Sequence, residues 1–426
     1  MKVLLALAIA AIPAIADDAA ALQRDLAKER LALAVRCEKD GLLEEALFEW
    51  IAALRQDPLV PGSNQVKLPS LKPYVLAWDD ALHEKYLAYS KDRAALLDRF
   101  AARWLALGET RAAIAIAPAF EPARDRAGEI FAGGSWVPKA DAERLLQDLL
   151  PIDGKWLPAE EVRKRRSAWA EAWEVRGTHF AVRSNRSESA AREVLALAES
   201  VLAAVYRELE GKLDAPAPKK LLAVYDFATR ADFLAHLDAA HDGGGDRRVS
   251  AGFFSSLDGA SHFAPVGNGL GLADTDVERH EVAHQVCDAM WPPQGLLAQQ
   301  PHFWAWEGVA AFFESTEVRD GKILVGSRQH PRIAMARRAL KDGLTLPLDE
   351  FVQLDGEGIK GRYNQAASLV HFFMLSDGGK NRERFLKYLR VVASGKAEAD
   401  SFEKCFGATP GKFQADWEAW VKGTGR

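Results

Sequence analysis

Near residue 176 the chain changes texture, and that change bounds its fold more tightly than any other feature of the sequence. Upstream, apolar residues recur at helical spacing, as in RLALAVRCEKDGLLEEALFEWIAALRQDP (30–58). Downstream, HFAVRSN (179–185) alternates as a strand does, and ESAAREVLALAESVLAAVYREL (188–209) is a long amphipathic helix. KKLLAVYDF (219–227) again reads as a strand and TRADFLAHL (229–237) as a helix. VSAGFFSSLDGASHFAPV then predicts two strands joined by a turn at Asp258-Gly259. Beyond it the pattern is helical, broken by polar loops. Strands followed by helices imply an α+β domain over 176–426, preceded by an α-helical domain. At 426 residues the chain has room for both.

The helical region spans 17–124. Its first pair of helices breaks at Asp40-Gly41 and ends at Asp57-Pro58. A helical hairpin with a glycine turn and a terminal Asp-Pro resembles a tetratricopeptide unit, but no 34-residue recurrence follows. The expectation is a helical hairpin at the edge of a helical domain, offering a surface to a protein partner. The segments 79–108 and 109–132 continue the helical pattern. GGSWVPKADAERL (133–145) and DGKWLPAEEVRKR (153–165) form a short repeat of G-x-W-x-P, each proline standing where a helix starts. They mark 125–175 as a connector. Trp136 and Trp156 suit packing better than carbohydrate stacking, and RKRR (163–166) reads as a solvated helix face.

MKVLLALAIAAIPAIADD has a lysine, an apolar run and a small-residue AIA before Asp17. That is the pattern of a secretory signal peptide over 1–16, so an exported (periplasmic or secreted) protein without a membrane span after cleavage is expected. A net charge of −5 and a pI near 6.1 do not favour nucleic acid as a partner. Cys37, Cys287 and Cys405 are too few for a disulfide framework, although export permits one bridge.

The chemistry concentrates in VERHEVAHQV (277–286). Thr275 and Glu278 stand in capping-box relation, placing a helix start near 276. On that helix His280 and His284 are a turn apart and can reach one ion. Zinc suits two imidazoles and a carboxylate with one position left for water. Glu281, one residue round from His280, lies where it could take a proton from that water and deliver it to a leaving amine. A solvated helix face with two histidines is the plain alternative. What weighs against it is WAWEGVAAFFE (304–314), where Glu307 sits among apolar residues and would be costly to bury without a partner. Gly308 beside it permits close helix approach. Cys287 is a conceivable further ligand that would make the site structural. His330 reads as a surface residue and His371 as a core one, whereas His179 and His262 carry no spacing signal.

HEVAH paired with WEGVAAFFE resembles the gluzincin metallopeptidases, and in particular the peptidase-MA-like metalloproteases of bacteria, over roughly 176–426. The resemblance implies a zincin-like catalytic domain binding one zinc ion through His280, His284 and Glu307, with Glu281 as the general base. RYNQAASLVHFFM (362–374) matches the family's later helix, and the resemblance implies that Tyr363 donates a hydrogen bond to the oxyanion. The position four after Glu307 is Ala311, so the carboxylate that orients a zinc histidine must lie elsewhere; Glu314 is a candidate for that role or for a surface residue. An edge strand, SAGFFSS (250–256) or ASHFAPV (260–266), would hold extended peptide. The loops HDGGGDRR (241–248) and 291–303 would border the cleft. The function so implied is an exported zinc peptidase acting on a peptide or protein substrate. The competing reading is a non-catalytic interaction protein whose zincin-like domain is a scaffold for the helical region.

Overall fold

The computed structural model describes residues 2–61, 79–132, 134–213, 215–240, 250–265 and 274–423, with backbone alone at 2–16 and 274. The chain divides into two compact units, one ending at Val162 and the other beginning at Arg163. The division falls inside the segment read as a connector.

In the first unit, α1 (Lys2–Asp40) and α2 (Leu43–Gln56) form the expected hairpin around Gly41, whose φ of +82° suits glycine. Helix α3 (Asp80–Ala106) packs against α1, and α4 (Thr110–Ile116) and α5 (Glu121–Arg126) complete the helical part. Glu49 is buried on α2, where it accepts from Arg30 (2.8 Å), Tyr89 (2.9 Å) and Arg93 (2.7 Å). Helix does not continue through 132. Each G-x-W-x-P repeat is instead the second strand of a β-hairpin: β1 (Glu129–Ala132) with β2 (Ser135–Pro138), and after α6 (Lys139–Leu146), β3 (Leu149–Ile152) with β4 (Lys155–Pro158). Helix α7 (Ala159–Arg166) follows. Positive φ at Asp153 and Gly154 forms the second turn, an Asp-Gly hairpin signal that the helical reading passed over. Trp136 and Trp156 are half-buried, with the guanidinium groups of Arg124 and Arg144 at 5.3 and 5.1 Å from their rings.

The second unit is mixed α/β. Strands β5 (Trp173–Arg176) and β6 (Phe180–Ser184) are antiparallel, and α8 (Glu188–Val205) crosses to β7 (Leu222–Asp226), which runs parallel to β6. After α9 (Arg230–Ala240), β8 (Gly252–Ser255) and β9 (Ala260–Phe263) form the expected hairpin, with β9 parallel to β7. The order β5-β6-β7-β9-β8 leaves β8 at the edge. Helices α10 (Asp274–Met290) and α11 (Trp304–Phe313) come next. A short hairpin follows, β10 (Glu317–Arg319) with β11 (Lys322–Leu324). Then come α12 (Pro331–Lys341), α13 (Leu348–Phe351) and α14 (Tyr363–Leu375). Helices α15 (Arg382–Ala393), α16 (Ser401–Phe406) and α17 (Gln414–Lys422) close the unit. One core runs from the inner faces of β6, β7 and α8 through α10 and α11 to Trp417 and Trp420. Among the described residues no helix is long and apolar enough to cross a membrane. The three cysteines are free thiols.

Candidate metal centre and active-site cleft

Helix α10 is fastened to the sheet before it presents anything to solvent. Buried Gln285 donates to the carbonyls of Ala223 (2.8 Å) and Gly259 (2.7 Å), and its amide oxygen accepts from Ser261 at 3.0 Å. The helix starts earlier than the capping box implied. Thr275 is inside the first turn, and its hydroxyl accepts from Arg279 at 3.3 Å.

His280, His284 and Glu307 each turn one ligand atom to a common point, and the group can hold a metal ion. The two Nε2 atoms are 3.1 Å apart, and Glu307 Oε2 lies 3.2 Å from His280 Nε2 and 3.5 Å from His284 Nε2. Tetrahedral ligands on arms of about 2.0–2.1 Å are separated by roughly 3.3–3.4 Å, so the donor set fits a zinc-sized ion. Glu307 reaches this point because α11 lies hard against α14. A Cβ on Gly308 would meet Val370 Cγ2 at 2.7 Å and the Ala366 carbonyl oxygen at 2.8 Å.

His280 uses its other ring nitrogen on Glu314, 2.8 Å from Nδ1. Of the two roles open to Glu314, the structure therefore assigns the orienting one, which directs Nε2 of His280 at the common point. Glu314 is held in turn by Arg332, whose Nε and Nη2 each donate to it at 2.7 Å. Arg332 also reaches the Asn364 side-chain oxygen (3.3 Å), and its guanidinium lies 5.9 Å from the Tyr363 ring centroid. Spacing could not have found Arg332, which belongs to a helix far along the chain.

The electrostatics favour positive charge at the convergence point. Burial alone would lower His280, but Glu307 and Glu314 outweigh it and push it up to about 10. Burial alone would raise Glu314, yet His280 and Arg332 hold it at about 2. Glu307 is held well below the usual carboxylate range, its burial overcome by the two histidines. Glu281 goes the other way: burial raises it, only partly opposed by His280 and His284. Its Oε2 accepts from the backbone N–H of Phe254 on β8 at 2.8 Å. Tyr363 begins α14 with its ring centroid 6.4 Å from that of His280. Burial, then the charges of Glu307 and Glu281, push its hydroxyl up to about 12, so it stays a donor.

His280, Glu281, His284, Glu307 and Tyr363 line one open cleft of about 890 Å³. Its walls include Ser250 and Ala251, then Gly252, Phe253 and Phe254 of the edge strand, and Pro293, Leu296, Leu297 and Phe303 from the segment 291–303. Of the two candidate strands, β8 is the edge and β9 lies inside the sheet. The loop 241–248 is outside the described residues. Cys287 is not with the ligands; it is 3% exposed and packed in the core. The helical row 280–284 continues instead to Asp288, a cleft residue that the sequence reading passed over. His330 corrects another expectation: it is buried at the start of α12, where its ring nitrogen accepts from the Arg332 N–H at 3.4 Å. His371 is a core residue, fully buried, with Nδ1 donating to the Ala367 carbonyl at 2.8 Å.

No family model matches the chain, and no curated protein is similar enough to count as a relative.

Proposed function

We propose that this chain is an exported zinc-dependent peptidase, with a zincin-like domain over roughly 176–426 that hydrolyses peptide bonds. The observation that carries the reading is the arrangement of Glu281 beside three convergent ligand atoms in an open cleft bordered by an edge strand. A purely structural metal site needs neither an adjacent buried carboxylate nor an open cleft. His280, His284 and Glu307 would hold zinc, which when bound supplies Lewis acidity to polarise the peptide carbonyl and acidify water.

The chain's own residues account for the rest. The Phe254 N–H and burial hold the Glu281 carboxylate in one orientation. From there it takes the proton of the attacking water and returns it to the leaving amine. The Tyr363 hydroxyl, kept protonated by its surroundings, donates to the oxygen on which negative charge develops. The edge strand β8 borders the cleft along which an extended substrate would lie, with its Phe254 N–H already given to Glu281. Glu314 and Arg332 keep His280 in register. In this account the N-terminal helical unit presents a protein partner or substrate to the catalytic unit.

The test is Glu281→Gln assayed on a peptide library after metal loading. The expected result is an unchanged metal content and a loss of activity of about 100-fold or more. Equal behaviour of variant and wild type toward every peptide would refute the enzyme reading and favour a non-catalytic scaffold.

A further inference from the structure

Asp288 is a cleft residue with no part in the chemistry proposed above. It is half-buried and lines the cleft one helical turn beyond His284, on the same row of α10 as His280 and His284. Along the helix that places it about 6 Å further from the convergence point. No hydrogen bond or ion pair holds it among the described residues; the charge it feels is that of the His284 imidazole one turn away. Its position makes the lack of a direct partner costly. Met290 ends the helix two residues later, and the last turn contains no basic residue. The terminal backbone carbonyls already concentrate negative potential there, so a carboxylate without a cation is disfavoured. The cleft that it lines also has apolar walls. Trp306 stacks on His284 with ring centroids 5.8 Å apart, and Pro293, Leu297 and the 66% exposed Leu296 line the cleft. An acid at a helix C-terminus, in a cleft that also presents an indole and aliphatic side chains, matches a long cationic group. Its stem would cover the apolar wall and its nitrogen would neutralise the carboxylate.

Building on the peptidase reading, we propose that Asp288 is the specificity-determining residue of a subsite for a cationic nitrogen of the substrate next to the scissile bond. Two sources share this chemistry: the side chain of arginine or lysine, and a free amino terminus. The apolar length of the wall favours the side chain.

The experiment uses the full chain with Glu281→Gln, so that binding can be measured without turnover, and the same chain carrying Asp288→Asn as well. Three peptides of otherwise equal sequence are titrated calorimetrically: acetylated with arginine at the variable position, acetylated with leucine there, and leucine with a free amino terminus. In the Asp288 chain the arginine peptide is expected to bind about tenfold more tightly than its acetylated leucine counterpart, and Asp288→Asn should abolish the difference. An Asp288-dependent preference confined to the free-amine peptide assigns the subsite to the substrate's amino terminus. Equal affinities for all three peptides, or a preference that survives Asp288→Asn, would overturn the proposal. So would a loss of zinc affinity in Asp288→Asn with peptide ratios unchanged, because that places the carboxylate in the service of His284. Hydrolysis by the wild-type chain is followed in parallel. Absence of cleavage defeats the peptidase reading, while the titration decides the subsite independently.

Discussion

Gly308→Ala tests how packing sets the metal centre. The added methyl would stand 2.7 Å from Val370 Cγ2 and 2.8 Å from the Ala366 carbonyl oxygen. A tolerable contact is about 3.4 Å, so α11 and α14 must part by roughly 0.6–0.7 Å, since a backbone carbonyl in a helix cannot swing aside. Overpacking of this kind costs about 1–3 kcal/mol, or roughly 2–10 °C in melting temperature for a unit of this size. Glu307 is the next residue, and its carboxylate shares the displacement. Metal–ligand distances tolerate about 0.2 Å, so zinc affinity falls as well. Thermal unfolding in chelator isolates the packing cost, and zinc titration against a competing dye reads the second effect. A variant with an unchanged melting temperature in chelator and unchanged zinc affinity would refute the claim that the α11–α14 contact positions Glu307.

Glu314→Gln removes the anion that orients His280 and leaves Arg332 with a neutral partner; zinc affinity should drop about 10- to 100-fold by competitive titration. Tyr363→Phe should leave zinc content intact and lower kcat by about 100-fold or more in peptide hydrolysis, because only the developing oxyanion loses a donor. His371 supplies a pH test. Burial lowers it to about 4, against an unfolded value near 6.5. Its stabilising contribution is therefore complete above pH 6.5 and lost as pH falls toward 4, by about 2 kcal/mol between pH 7 and 5. Denaturant titration in chelator should show a flatter acid limb for His371→Leu than for wild type.

The elements that position the site were legible because their signals are local. Period-2 alternation at 179–185, the Asp258-Gly259 turn and the helical run at 188–209 each depend on neighbouring residues, and each element lies where expected. The histidine pair and Glu307 were legible because a buried carboxylate among tryptophans requires a cation. At 129–158 the helix starts after Pro138 and Pro158 lie where expected, but the hairpins that precede them were missed, because short strands leave little periodicity. The Asp153-Gly154 turn was the available signal for the second hairpin. Arg332, Asn364 and the Phe254 N–H meet the site only through tertiary packing, and no spacing encodes them. Asp288 was open to discovery by simple extension of the 280–284 row, while Cys287, one position earlier, turns into the core.

The most direct test of the central claim is the metal content of the purified chain, by elemental mass spectrometry, beside His280→Ala and Glu307→Ala. The account predicts about one zinc per chain in the wild type and its loss in both variants, with Glu281→Gln retaining it. Absence of metal from the wild type after zinc reconstitution, or its retention when His280 and Glu307 are removed, would contradict the account.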